Sequence, residues 1–213
     1  MTKAILFDFD GVIVQSEKLH MKTFLDLFEK YGLKISEEKW FSTFAGTGSR
    51  HIIEVLVQEL GVNEDIDKLV KIRKQKYEER VKAGELELTA GVVDFLEEIK
   101  RRKIKTAIVS GSHRTNVELA LKTFSLEKYF DTIVSGDDIK ERKPSPEPFL
   151  FGARALKVDP KDCIAVEDSK AGCMSVVAAG IKLVIVKSPI SKDLKIYKSP
   201  IIDDFTKFPM NLL

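Results

Sequence analysis

The chain has 213 residues, of which 44% are hydrophobic and 32% are charged, a composition that excludes intrinsic disorder and a length that suits one domain with or without an insertion. Its 35 Lys and Arg residues and 33 Asp and Glu residues give a formal net charge of +2, which argues against a dedicated nucleic-acid-binding protein. No apolar run approaches the roughly 20 residues needed to cross a bilayer, no signal peptide is evident and the two cysteines make no disulfide framework, so we expect a cytoplasmic protein without a membrane partner.

The first predicted strand, Ala4–Phe7, is an apolar run that is too short for a helix. It leads into Asp8 and Asp10, two carboxylates that lie two residues apart, and then into Gly11, which permits a tight turn. One carboxylate could act as a nucleophile and the other as a general acid and base. A metal-binding or turn-forming acidic segment would show the same pattern, so this motif alone leaves both interpretations open.

The long segment between the first and second strands contains no convincing strand. Its periodicity predicts three helices, over Glu17–Tyr31, Ser49–Leu60 and Glu64–Lys82, and Ser49 could cap the second of them. We therefore predict a helical domain, residues 15–87, that is inserted after the first strand. Because it begins beyond the carboxyl end of that strand, a lid over a ligand site is the natural interpretation.

Four further apolar runs follow the insertion, and segments with helical periodicity separate them. The predicted strands are Lys105–Val109, Thr132–Val134, Cys163–Val166 and Leu183–Val186. The alternation of strands and helices predicts an α/β fold, a doubly wound parallel sheet with helices on both faces. Residues 1–14 and 88–213 would form this core, and ligands bind such sheets beyond the carboxyl ends of the strands.

Polar side chains follow the predicted strands at the points where they end. The turn Ser110–Ser112 offers hydroxyl and amide groups that suit a phosphate oxygen, although Ser112 could instead cap a helix. Lys143 lies in a loop that prolines stiffen and could point inward, although a solvated lysine is the more common case. Glu167 and Asp168 follow the fourth strand, and such paired acids suit a hard cation.

Four motifs stand in a fixed order along the chain: DFDGV at residues 8–12, SGS at 110–112, KPSP at 143–146 and EDS followed by AG at 167–172. Together they resemble the haloacid dehalogenase superfamily, and most closely its phosphatase and β-phosphoglucomutase branch. The resemblance extends over nearly the whole chain. It implies a Rossmann-like core with an inserted α-helical cap domain.

The resemblance also implies a set of catalytic residues. Asp8 would attack phosphorus and form an aspartyl-phosphate, while Asp10 would protonate the leaving oxygen and later activate water. Ser110 would bind the transferring phosphoryl group. Lys143 would neutralise the nucleophile and the phosphate.

A bound Mg²⁺ is the cofactor that the resemblance implies. Its ligands would be Asp8, the backbone carbonyl of Asp10, Asp168 and, directly or through water, Glu167. Charge counting supports a cation, because three carboxylates and a phosphate ester of about two negative charges would otherwise face a single lysine. Mg²⁺ prefers oxygen ligands and substrate phosphates, so it fits this set.

Substrate recognition is assigned to residues of the inserted domain and of the motif loops. The predicted substrate-binding residues are Gly11, His20, Gly46, Arg50, Gly111 and Ser112. His20 resembles a histidine of sugar-phosphate mutases and some sugar phosphatases, and Arg50 resembles a cap arginine that binds the distal group of the substrate. An ordinary polar helix residue and a surface arginine are the alternatives for these two.

The predicted function is Mg²⁺-dependent hydrolysis of a small phosphate ester, such as a sugar phosphate, through the aspartyl-phosphate. A β-phosphoglucomutase-like phosphotransferase is the alternative, since only the acceptor of the phosphoryl group differs. Haloacid dehalogenation is disfavoured, because Asp10, Lys143 and the metal carboxylates suit phosphoryl transfer. A non-catalytic binding protein with this fold is the non-enzymatic alternative. The sequence carries no clear oligomerisation signal, so a monomer is expected.

Overall fold

The computed structural model describes residues 1–191 and 194–213. The chain divides into two compact units. The core unit consists of Met1–Gln15 and Glu87–Leu213, and the inserted unit consists of Ser16–Leu86. The role of the inserted unit as a cap domain stays a prediction.

A parallel sheet forms the centre of the core unit, and it has six strands within the residues that the structure describes. The strands are β1 (Ala4–Phe7), β2 (Lys105–Val109), β3 (Thr132–Val134), β4 (Cys163–Glu167), β5 (Lys182–Val186) and β6 (Ile201–Ile202). Their order is β3-β2-β1-β4-β5-β6, so β1 lies between β2 and β4. The predicted α/β fold with a doubly wound parallel sheet is confirmed.

The inserted unit is helical, and the fully described range Ser16–Leu86 contains no strand. Its helices are α1 (Glu17–Leu27), α2 (Glu37–Lys39), α3 (Ser49–Leu60) and α4 (Ile66–Lys82). Trp40 and Phe44 lie on a single π-helical turn between α2 and α3 and are buried in the apolar centre of this unit. Burial of these aromatic side chains gives the inserted unit a hydrophobic core of its own.

All three predicted helices of the inserted unit differ from their predicted forms at one end. α1 ends at Leu27, because the chain tightens into a separate 3₁₀ turn over Glu29–Tyr31 before the left-handed residue Gly32. Ser49 is the first helical residue of α3 and not its cap. The cap position belongs to Gly48, whose φ of +93° favours glycine and which has no side chain to accept a hydrogen bond.

The start of α4 also differs from its prediction, since the helix begins at Ile66 and not at Glu64. Asp65 is the cap, and its side chain accepts a hydrogen bond from the amide of Lys68 at 2.7 Å. The carboxylate of Glu64 instead accepts the hydroxyl of Tyr31 at 2.6 Å. Glu64 therefore ties the start of α4 to the 3₁₀ turn that follows α1.

Helices cover both faces of the sheet in the core unit. These helices are α5 (Val92–Arg101), α6 (Arg114–Thr123), α7 (Glu147–Ala155) and α8 (Lys170–Ala178). On one face, α7 contacts β1, β2 and β3, while α8 contacts β4 and β5. On the other face, Phe95 of α5 packs edge-on against Phe7 of β1, with ring centroids 6.2 Å apart. The two layers bury the apolar strands, as a parallel sheet requires. No helix among the described residues is long and apolar enough to span a membrane.

The edge strand β6 is the one strand of the described sheet that the sequence does not predict. It consists of Ile201 and Ile202, which pair with Ile185 and Val186 of β5. Two apolar residues are too few for periodicity to separate from a loop. Pairing with β5, and not local sequence, therefore determines this strand.

Candidate active site

The topology of the sheet brings the acidic motifs together. Asp8 follows β1, Ser110 follows β2, and Glu167 ends β4 immediately before Asp168. Because β2, β1 and β4 are neighbours and run parallel, their carboxyl ends meet at one edge of the sheet. This is the edge at which open α/β sheets bind ligands.

Lys143 is the cation of this edge and makes two short ion pairs. Its Nζ atom lies 2.5 Å from Oδ1 of Asp8 and 2.6 Å from Oε1 of Glu167. Its side chain is only 13% exposed and packs over the ring of Phe149, 4.8 Å from the ring centre. The structure thus places Lys143 in the site, and not in the solvated position that the sequence left open.

Glu167 is fully buried and is held from several sides. Its Oε2 atom accepts the backbone amides of Asp168 and Ser169 at 2.7 and 2.8 Å and the hydroxyl of Ser169 at 3.0 Å. A Cβ atom at Gly172 would lie 1.7 Å from Oε1, so a side chain cannot be accommodated there. Glu167 therefore orients Lys143, in addition to contributing negative charge to the site.

Three buried carboxylates form a cluster that could hold a metal ion. One oxygen each from Asp8, Glu167 and Asp168 lies within 4.8 Å of the others. The Oδ1 atom of Asp168 is buried and has no hydrogen-bond partner among the described residues, which is costly unless another group satisfies it. An all-oxygen donor set with such an atom fits a hard cation such as Mg²⁺.

Burial determines how these groups titrate in the metal-free protein. It raises the pKa of Asp8 to about 7, although the charge of Lys143 acts in the opposite direction. Burial likewise raises the pKa of Asp168. For Lys143, burial would lower the pKa, but the charges of Asp8 and Glu167 outweigh it and raise the pKa overall.

We expect the metal-free protein to lose stability as the pH rises from about 4 to about 7. In that window the folded protein still binds a proton at Asp8, whereas the unfolded chain, with a pKa near 3.8, has released it. The free energy of unfolding should therefore fall by on the order of 2–4 kcal/mol and stay low above the folded pKa. Urea unfolding in EDTA at about pH 5 and about pH 7.5 measures this difference.

Two controls accompany this measurement. Added Mg²⁺ should restore the stability at the higher pH, because a cation held by the ionised carboxylates would stabilise the folded state alone. In Asp8→Asn the loss between the two pH values should be smaller, since the amide that replaces the carboxyl group does not titrate. Equal stability of the metal-free wild-type protein at both pH values would contradict the expectation.

The loops after β1 and β2 place the remaining motif residues. The hydroxyl of Ser112 donates to Oδ2 of Asp10 at 2.7 Å, and the amide of Ser112 donates to the hydroxyl of Ser110 at 3.0 Å. Ser112 thus contacts a site carboxylate, and the alternative of a helix cap does not apply. Gly11 has a φ of +81°, and a Cβ atom there would lie 2.1 Å from Oδ2 of Asp168. Gly111 lies in the same loop as Ser112, where a Cβ atom would meet no described atom within 4 Å.

In the inserted unit, His20 belongs to an aromatic and cationic cluster. Its ring stacks on Tyr77 at 4.6 Å, and its Nδ1 atom hydrogen-bonds to the guanidinium of Arg73. Arg73 is only 5% exposed and lies over the rings of Phe24 and Tyr77. Arg73 lies within the basic run KIRKQK at residues 71–76. The spacing of Arg73 and Tyr77, four residues apart on one helix, is the signal that could have identified it.

The other two predicted residues of the inserted unit lie apart from this cluster in the chain. Arg50 is exposed in the first turn of α3, where its guanidinium pairs with Asp67 and lies 4.0 Å from Glu54. Gly46 precedes α3 and has a φ of +76°. The surface position of Arg50 matches the alternative that the sequence left open, although its role in binding stays a prediction.

Comparison with known proteins identifies related sequences. The family model of haloacid dehalogenase-like hydrolases matches residues 5–186. The "Phosphorylated carbohydrates phosphatase" of Thermotoga maritima is 31% identical over 180 residues, which cover 84% of this chain and 82% of that protein. The sequence similarity therefore extends over both units.

Several solved structures are similar to this chain over nearly its whole length. CbbY from Rhodobacter sphaeroides in complex with phosphate has a TM-score of 0.84 and 25% identity, with 98% of this chain and 97% of that chain covered. A mutant of the same protein was solved with xylulose-(1,5)bisphosphate and gives a TM-score of 0.83. β-Phosphoglucomutase from Clostridium difficile has a TM-score of 0.78 and 25% identity, with 99% and 95% covered.

The match to the family model spans β1 to β5 and includes all four motifs. The predicted superfamily is therefore confirmed, and with it the prediction of an enzyme, a hydrolase whose named relatives include phosphatases. The chain belongs to the haloacid dehalogenase-like hydrolases.

Proposed function

We propose that the chain is a Mg²⁺-dependent phosphatase that hydrolyses phosphate esters of small carbohydrates through an aspartyl-phosphate on Asp8. The observation that carries the proposal is the buried Asp8 carboxylate, paired with Lys143 at 2.5 Å beside two further acids. The names of the Thermotoga maritima phosphatase and the phosphate and sugar bisphosphate bound to CbbY support the substrate class.

In the first step, a carboxylate oxygen of Asp8 attacks phosphorus and the bond to the sugar oxygen breaks. Asp10 donates its proton to that leaving oxygen and becomes a carboxylate. The hydrogen bond from Ser112 to Oδ2 of Asp10 restricts the orientation of this acid. Lys143 offsets the negative charge that gathers between nucleophile and phosphate, and Ser110 binds a phosphoryl oxygen.

In the second step, water attacks the phosphorus of the aspartyl-phosphate. Asp10 accepts a proton from that water and is thereby returned to its acid form. The bond between phosphorus and the Asp8 oxygen breaks, so inorganic phosphate is released and the carboxylate of Asp8 is regenerated. Each residue ends the cycle in the state in which it began.

The residues that would hold Mg²⁺ are Asp8, Asp168 and the backbone carbonyl of Asp10, with Glu167 close by. When bound, the cation would neutralise phosphate oxygens and stabilise charge that develops during transfer. Without it, the three carboxyl groups, once ionised, would repel a substrate with about two negative charges. Lys143 alone cannot offset that repulsion.

Residues of the inserted unit belong to the proposal as substrate-binding groups. His20, hydrogen-bonded to Arg73, and Arg50 offer polar and cationic groups that suit the hydroxyl and phosphate groups of a phosphorylated sugar. Gly46 would permit close approach of a ligand to the loop before α3. Gly11 and Gly111 would do the same in the core unit.

A β-phosphoglucomutase-like phosphotransferase is the second candidate, and the structural similarity to β-phosphoglucomutase from Clostridium difficile favours it. Both reactions share the aspartyl-phosphate. In the mutase a sugar hydroxyl, and not water, accepts the phosphoryl group, so exclusion of water decides between them.

One assay tests both functions. Purified protein with Mg²⁺ is incubated with a broad panel of phosphate monoesters, and isomerisation of β-glucose 1-phosphate is followed in parallel. We expect phosphate release from sugar phosphates that EDTA abolishes and Mg²⁺ restores. Isomerisation without phosphate release would instead establish the mutase. If the protein catalyses neither reaction with any ester, that result would contradict the enzymatic proposal and favour a binding protein.

A further inference from the structure

The turn Ser188–Ser191, which follows β5, contacts Asp168 through two hydroxyl groups. The Oγ atom of Ser191 donates to the backbone carbonyl of Asp168 at 2.8 Å. The side chain of Ser188 is a hydrogen-bonding neighbour of the Asp168 carboxylate. One turn thus contacts both the backbone and the carboxylate of the same acid.

Hydrogen bonds within the turn hold the two hydroxyls in place. The amide of Ser188 donates to Oγ of Ser191 at 2.8 Å, and the amide of Ser191 donates to the carbonyl of Ser188 at 3.0 Å. The amide of Ile190 donates to Oγ of Ser188 at 3.2 Å. Each hydroxyl therefore accepts a backbone amide, and the two hydroxyl oxygens lie 3.1 Å apart. Ser191 shares its proton between the carbonyl of Asp168 and the carbonyl of Val186, the latter at 3.1 Å.

The side chain of Asp168 is confined, yet one of its oxygens is unsatisfied. The carboxylate packs against Gly11, where a Cβ atom would come within 2.1 Å of Oδ2. Oδ1 is buried and lacks a hydrogen-bond partner among the described residues. The turn contacts both the backbone and the side chain of Asp168, and Oδ1 has no hydrogen-bond partner among the described residues. Asp168 is therefore oriented for a ligand.

We propose that Ser188 and Ser191 are positioning residues that orient the Asp168 carboxylate for the divalent cation. The inference rests on the proposed function, because it requires a divalent cation that Asp8 and Asp168 bind. Outer hydrogen-bond partners of metal ligands typically change metal affinity by about 10–100-fold when removed. The loop after β5 carries none of the four motifs, which is why the sequence motifs do not indicate it.

The test is a calorimetric titration of Mg²⁺ into the full-length protein after EDTA treatment and removal of the chelator. In Ser191→Ala we expect the Kd for Mg²⁺ to rise by about tenfold or more. Ser188→Ala should weaken binding in the same direction. Ser191→Thr keeps a hydroxyl and should restore most of the affinity.

A catalytic readout separates positioning from general damage. At saturating Mg²⁺, the kcat of Ser191→Ala should return to within about threefold of the wild-type value, because the reacting groups are unchanged. The matched control is Ser199→Ala, which removes a hydroxyl that donates to the carbonyl of Tyr197 at 3.3 Å in the same unit. This control should leave the Kd for Mg²⁺ unchanged.

Three results would overturn the inference or its basis, and they are distinguishable. Wild-type Kd values in Ser191→Ala and Ser188→Ala would overturn the positioning role alone. Equal weakening in Ser199→Ala would do the same, since the effect would then not belong to the turn. Absence of Mg²⁺ binding by the wild-type protein would overturn the proposed metal dependence itself. If Ser191→Ala does not fold, the same Mg²⁺ titration of Ser188→Ala and Ser191→Thr tests the positioning role.

Discussion

Replacing Asp8 with asparagine is expected to lower kcat/KM for phosphate release by at least about 10⁴-fold while the protein stays folded. An amide cannot attack phosphorus, so the covalent step is lost. Folding should tolerate the change, because burial already disfavours the charged form of Asp8 and raises its pKa to about 7. Steady-state kinetics and urea unfolding of the same preparation measure the two effects.

Asp162→Asn is the matched control for this substitution. Asp162 lies just before β4, at the opposite end of that strand from Glu167, and pairs with the exposed Lys3 at 2.8 Å. Its replacement should leave kcat/KM unchanged. Retention of more than about one-tenth of the activity in Asp8→Asn would contradict Asp8 as the nucleophile.

Replacing Lys143 with methionine should reduce both activity and stability. Two buried carboxylates, Asp8 and Glu167, would lose their common cation, which costs on the order of 3–5 kcal/mol of unfolding free energy at neutral pH. The loss should be smaller at about pH 5, where Asp8 can take up a proton. Activity should fall by about 10²–10³-fold, since the phosphate loses a charged partner. Urea unfolding at both pH values and steady-state kinetics measure these changes.

Lys3→Met serves as the control for the loss of a lysine. Its ion pair with Asp162 lies at the surface and is screened by solvent, so its removal should leave the free energy of unfolding nearly unchanged. A Lys143→Met protein as stable as Lys3→Met would mean that the buried ion pairs do not stabilise the core unit.

The central part of the fold was predictable because its signals are local. The five longer strands are apolar runs, each too short for a helix, and polar residues mark the carboxyl ends of β1, β2 and β4. The edge strand β6 was not predictable, since two isoleucines acquire strand character only by pairing with β5. The cap of α3 at Gly48 depends on backbone geometry that the neighbouring Ser49 does not reveal, whereas Asp65, the cap of α4, is of a residue type that favours this position.

The site was predictable in its residue types and not in its contacts. The motifs indicate Asp8, Lys143 and Glu167, but only the structure shows that one lysine joins both carboxylates. Arg73 lies in a basic stretch that suggests a solvated helix face, yet its guanidinium is buried over aromatic rings. Such burial depends on partners from another helix, which composition does not record.

The hydrogen bond of Ser191 to Asp168 spans 23 positions along the chain. It joins two loops that are adjacent because β4 and β5 are neighbours in the sheet. No local pattern in the sequence marks such a contact. Topology must be known before it can be inferred.

The most direct test of the central claim is to locate the covalent phosphoryl group. The enzyme is mixed with Mg²⁺ and the best sugar phosphate of the panel, quenched in acid during turnover, digested and examined by mass spectrometry. We predict one phosphoryl group on the peptide that contains Asp8, and none in Asp8→Asn. Phosphate release with no label on Asp8, or with the label on another residue, would contradict the aspartyl-phosphate mechanism.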